Sequence, residues 1–178
     1  MTKPLIAGLA MAAGLALCAS AASAQTVYIV RHAEKASDTE RDPVLSEAGM
    51  ARAEAVAALF EDGAPDLVVV SPLQRTRLTA GPTVTASGAF VAVSPLEAGV
   101  EAGVEAHVET IRQGVLALPE DAVVLISGHS NTVPLIARAL GYETPDMPEC
   151  EYDRLIRIEL RNGQVSGETL RYGAPSTC

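Results

Sequence analysis

The chain reads as one α/β domain of three layers: a central, mostly parallel sheet, helices on both faces and an antiparallel hairpin at the C-terminus. Three observations predict this. Short β-branched runs alternate with segments of helical period, the pattern of βαβ units. Two of those runs, Leu67 to Val70 and Val123 to Ile126, are apolar without interruption, as strands buried on both faces are. Finally, Ile156, Ile158 and Leu160 alternate with charged residues and run into Asn162-Gly163, the strongest short hairpin signal.

From the N-terminus, Lys3 precedes an uncharged apolar run from Leu5 to Leu17, and Ala22-Ser23-Ala24 has the small-residue pattern of a cleavage site. Residues 1–24 are therefore expected to be a secretory signal peptide, with the domain over 25–178. The run is too short for a bilayer-spanning helix, and no later stretch approaches the roughly 20 apolar residues a span needs. An exported protein, periplasmic or secreted, is the expectation.

Thr26 to Val30 predicts the first strand. Ser46 can cap a helix whose apolar positions are Met50, Ala53, Val56, Ala57 and Phe60, and Asp62-Gly63-Ala64-Pro65 ends it. After the second strand, Ser71-Pro72 opens a helix over Leu73 to Ala86, with Pro82 as a break or kink. Phe90 to Val93 is a third, weaker strand. Val104, Val108, Ile111, Val115 and Leu118 form the stripe of a long helix that stops at Pro119. Beyond the fourth strand, Pro134 suits the first turn of a helix reaching Leu140, with Gly141 after it.

The formal charge is −9, and loss of Lys3 with the signal takes it to −10. So acidic a surface repels polyanions, which argues against nucleic acid as a partner, yet a local arginine cluster can still bind a compact anion. Cys18 would leave with the signal, so Cys150 and Cys178 remain in an oxidising compartment, and a disulfide between them is expected.

Chemistry concentrates where strands end. Arg31-His32 follows the first, Ser71-Pro72-Leu73-Gln74-Arg75 the second and Gly128-His129-Ser130 the fourth. Ligands of open α/β sheets sit outside the carboxyl ends of the strands, so two arginines and two histidines are expected in one crevice. Guanidinium groups match phosphate oxygens with paired hydrogen bonds. Helix N-termini beside them add backbone N–H donors. A neutral imidazole can be a nucleophile, and the neighbouring positive charges disfavour protonation of His32.

The ordered set RHAEK, SPLQRTRLTA and GHSNT resembles the histidine phosphatase (phosphoglycerate mutase-like) superfamily over nearly all of the chain after residue 24. The resemblance implies that His32 is the nucleophile and becomes phosphohistidine, while Arg31, Arg75 and His129 bind the phosphoryl group. It implies no metal and no other cofactor, in keeping with a sequence that shows no clustered metal ligands. Ala33 departs from the Gly that many members carry. The activity expected is hydrolysis of a small phosphorylated substrate. A mutase-type phosphoryl transfer and a non-catalytic phosphate-binding module are the alternatives, and His32 weighs against the latter.

A leaving alkoxide needs a proton, and a positioned acid contributes about two to four orders of magnitude. In one branch of the family the donor is a Glu after a Leu, and Leu96-Glu97 is similar to that placement. Glu97 is thus the catalytic acid expected from the resemblance, with Glu101, Glu34, Asp42 and His107 as rivals. The competing reading is that Glu97 only opens the long helix, where a carboxylate is favourable. His107, on the border of an apolar stripe, and Lys35 and Arg77 read as structural or solvated.

Overall fold

The computed structural model describes residues 24–60, 65–97 and 101–178. The expected signal segment through Ser23, and Asp62-Gly63-Ala64 of the first helix's stop signal, lie outside them. Among the described residues six strands form one sheet: β1 (Gln25–Arg31), β2 (Leu67–Val70), β3 (Phe90–Val93), β4 (Val123–Gly128), β5 (Arg154–Arg161) and β6 (Gln164–Arg171). Their order is β3-β2-β4-β1-β5-β6. The first four are parallel, and β5 and β6 pair antiparallel. The expected fold class stands.

Four α-helices of the described residues cover the sheet: α1 (Glu47–Ala57), α2 (Gln74–Ser87), α3 (Glu101–Leu116) and α4 (Val133–Ala139). Ile111 and Val115 of α3 and Val133 and Ile136 of α4 pack with Val27, Ile29, Val124, Ile126, Ile156 and Ile158 on one face. On the other, Val56 of α1, Phe60 just after it and Ala80 of α2 pack with Val30, Val68, Val70 and Leu125. The alternation of side chains along each strand feeds both cores. Each large aliphatic chain fully buried here contributes about 1.5 to 3 kcal/mol.

Local chemistry explains the element ends. The Ser46 hydroxyl accepts from Gly49 N and caps α1. The buried side of α1 is Gly49, Arg52, Ala53 and Val56, whereas Met50 is 57% exposed. Tertiary structure turned the stripe by one position, because Arg52 is held inward by Glu34. Pro82 sits inside an unbroken α2. The carbonyl deprived of a donor there is that of Leu78, an exposed position where solvent can serve it. Asn162 and Gly163 both take positive φ, 51° and 75°, as the hairpin turn requires. β6 is exposed along its whole length. Among the described residues, no helix is long and apolar enough to cross a membrane.

Candidate active site

Parallel pairing sets the site. The register Val30↔Ser127 and Arg31↔Gly128, extended by His32 N donating to Gly128 O at 2.8 Å, brings the ends of β1 and β4 together. The rings of His32 and His129 lie 5.3 Å apart. Because Val70 pairs with Ser127 on the other side of β4, Ser71 also arrives here, its Oγ 2.9 Å from His129 Nε2. Arg75 follows in the first turn of α2, whose start is anchored by Asp42: the carboxylate accepts from Gln74 N at 3.0 Å. The four residues expected to meet do meet, and all line one cleft of about 360 Å³.

His32 Nδ1 lies 2.8 Å from the carbonyl oxygen of Ala33. A carbonyl only accepts, so Nδ1 carries the proton and Nε2 keeps its lone pair. Burial, followed by the charges of Arg31, Arg75 and Lys35, lowers the His32 pKa to about 3 against the pull of that hydrogen bond. His129 is lowered to about 2, by burial first and then by His32 and Arg75. Both rings are neutral at ordinary pH. Ala33 is wholly buried with Leu45 and Ala53, so the methyl that departs from the family pattern is absorbed by packing. Its N–H donates to Thr79 Oγ1 at 2.8 Å.

The two arginines are held differently. Arg31 is 1% exposed, and its Nη1 donates to the carbonyls of Pro148, Glu149 and Glu151 at 3.2, 2.6 and 3.2 Å. Its Nη2 meets Glu149 Oε2 at 2.7 Å, and its guanidinium lies 4.1 Å from the centre of the Tyr152 ring. Arg75 has only a loose ion pair, Nη1 to Asp42 Oδ1 at 3.7 Å, and burial lowers its pKa, partly offset by Asp42. The buried Nε of both arginines has no partner. Unmet donors beside two neutral imidazoles suit an incoming anion.

Leu73, Leu96 and Val104 supply an apolar wall, and Lys35, Ser130 and Asn131 a polar one. Glu97 does not line this cleft. It lies beside Pro95, Gly103 and His107, pressed against the start of α3: a Cβ on Gly103 would come within 2.7 Å of the Glu97 Cβ. Glu101 is exposed in the first turn of α3. Glu34 is committed to Arg52, accepting at 2.7 Å from Nη2. His107 is buried, and its Nδ1 donates to Pro95 O at 2.9 Å, so it fixes the stretch before Glu97. Sequence reading missed Glu149 and Tyr152, which follow no strand end. The one signal near them was Cys150, whose bond to Cys178, with Cα atoms 5.2 Å apart, fixes the segment at the cleft.

The sequence model described as "Histidine phosphatase superfamily (branch 1)" matches residues 27–98, the part holding the first two motifs. Among solved structures, a protein assigned as the phosphohistidine phosphatase SixA from Agrobacterium tumefaciens is 27% identical, with a TM-score of 0.53 over 84% of this chain and 97% of that one. The fold and the sequence match are those of the histidine phosphatase superfamily. Two further solved structures share the fold at lower identity. An Escherichia coli protein assigned as an alpha-ribazole-5'-P phosphatase is 16% identical with a TM-score of 0.65, over 83% and 96% of the two chains. The mycobacterial glucosyl-3-phosphoglycerate phosphatase is 15% identical with a TM-score of 0.60, over 85% and 99%. A search of curated proteins returned no match.

Proposed function

We propose that the chain is an exported phosphomonoester hydrolase that works without a metal through a phosphohistidine on His32. The observation that carries this is the free Nε2 lone pair of a neutral His32, set in one cleft with Arg31 and with Arg75, whose guanidinium has only a loose ion pair. His32 Nε2 attacks phosphorus and the alcohol leaves. Water then cleaves the N–P bond. Arg75 and Arg31 hold the equatorial oxygens, and His129, oriented by Ser71, adds a donor or a neutral neighbour. Phosphoryl transfer asks the protein mainly for positioning and charge stabilisation, and this set supplies both. Export is supported by the composition of residues 1–24 and by a disulfide between Cys150 and Cys178.

The test is His32→Ala in protein purified with chelator present. Turnover of phosphomonoesters should fall at least about 10⁴-fold, and the acid-labile, base-stable phosphoenzyme of the parent should disappear. A His32→Ala protein that still turns over, or a metal requirement, overturns the mechanism. Mass spectrometry of the protein from its final compartment should find a chain beginning at Gln25, and a retained 1–24 segment overturns export.

A further inference from the structure

We propose that Glu149 is the acid that protonates the leaving oxygen and the base that then activates water, an inference that rests on the phosphatase reading above. Glu149 is the one acidic residue lining the cleft among the described residues. Of the other carboxylates considered, Glu34 is engaged on Arg52 and Asp42 on Gln74 N, and neither Glu97 nor Glu101 lines the cleft.

The Glu149 carboxylate bridges two groups of the cleft. Oε2 accepts from Arg31 Nη2 at 2.7 Å, and Oε1 accepts from the Ser130 hydroxyl at 2.5 Å. Its side chain is nevertheless 82% exposed. Backbone and side chain thus differ in freedom. The Glu149 carbonyl is fixed on Arg31 Nη1 and the next residue is fixed by the disulfide, while the carboxylate can swing on its own torsions toward water.

Substrate makes use of that freedom. A phosphoryl dianion and the carboxylate compete for one guanidinium, and the dianion carries the larger charge. The displaced carboxylate then stands beside the substrate without its cation, and its exposed side lets it take a proton from solvent. In the first step His32 Nε2 forms the bond to phosphorus, the P–O ester bond breaks, and the Glu149 proton passes to the departing oxygen. In the second step water attacks phosphorus, its proton passes to the Glu149 carboxylate, and the N–P bond breaks. The lone pair returns to Nε2, and Glu149 is again protonated for the next cycle. The sum of the two steps is ester plus water to alcohol plus phosphate, with no further reactant.

The experiment compares Glu149→Gln with the parent on an alkyl phosphate, ethyl phosphate, and an aryl phosphate, 4-nitrophenyl phosphate, across pH 4 to 9. An alkoxide needs the proton and a nitrophenolate does not. Glu149→Gln should slow phosphoenzyme formation from ethyl phosphate about 100-fold or more, change the first-turnover burst of 4-nitrophenolate less than about fivefold while slowing the steady rate that follows it, and remove the basic limb of the ethyl phosphate profile. A retained burst also certifies the fold of the variant. Equal losses in phosphoenzyme formation on both substrates, an unchanged steady aryl rate, or a gain on both through a lower KM, overturn the proposal, the gain marking Glu149 as an internal competitor for Arg31. A parent protein inactive on both substrates, or an active His32→Ala, refutes the phosphatase reading instead.

Discussion

The cleft has two walls of different origin. One is made by the ends of β1, β2 and β4 and the start of α2, and it holds His32, Arg75 and His129. The other is the segment 148–152, which has no regular structure and carries Glu149 and Tyr152. On the first wall, backbone pairing does the positioning: His32 and His129 sit where buried apolar strands stop, and Arg75 in the first turn of the helix that follows another. The second has no ladder to hold it and is tied at many points. Cys150 is bonded to Cys178. Glu151 accepts from Arg154 Nε at 3.0 Å and from Arg171 Nη1 at 2.5 Å. Ser176 Oγ accepts from Tyr152 N at 2.7 Å and donates to Asp153 Oδ1 at 2.7 Å. A sheet supplies rigidity as a by-product of burial, whereas an irregular segment of equal precision needs specific crosslinks. Arg31 belongs to both walls, since β1 delivers it and the segment clamps it.

Replacing each arginine by lysine breaks that comparison most directly. Lysine keeps the charge but loses the fork, so kcat/KM should drop roughly 10²- to 10³-fold in either variant, the range for removal of one donor to developing charge. Arg31→Lys should also destabilise the fold, because three carbonyls lose their donor, while Arg75→Lys should leave the urea midpoint nearly unchanged. Equal destabilisation by the two would erase the distinction between the walls.

The next largest effect falls on the second wall alone. Replacing Cys150 and Cys178 together by Ser should cost about 3 to 4 kcal/mol on the chain-entropy model for a loop of this length, an upper figure. It should also weaken inhibition by inorganic phosphate, since the carbonyl clamp on Arg31 loses its tether. Phosphate affinity that survives while stability falls would mean that the ion pairs of Glu151 and Asp153 hold the segment unaided.

The smallest effect belongs to the first wall and is read in pH. His32 and His129 titrate at about 3 and about 2 in the folded chain, against about 6.5 when unfolded. The unfolded chain therefore binds protons first as pH falls. Stability should be full above about pH 6.5 and decline toward pH 3, and the urea midpoint should already drop between pH 7 and 5.5. His32→Asn should flatten that slope, and a midpoint that holds or rises in this window would contradict the neutral imidazoles.

The sequence by itself determined most of the first wall. Uninterrupted runs such as Val123 to Ile126 identify central strands, and a parallel sheet collects their carboxyl ends, so the meeting of Arg31, His32, Arg75 and His129 is legible in the sequence. Asn162-Gly163 settled the hairpin for the same local reason, its backbone needing positive φ at both positions. What only the tertiary structure decided were matters of distance between remote segments. Met50 faces solvent because Glu34 draws Arg52 inward from outside its helix. Glu97 lies away from the cleft because Gly103 lets α3 close onto it, and no spacing within the chain encodes that approach. Glu149 reaches Arg31 across 118 positions of sequence, in a segment without periodicity, so nothing local could have announced it. Local patterns record which residues are buried; the meeting of two irregular segments depends on packing that no short window contains.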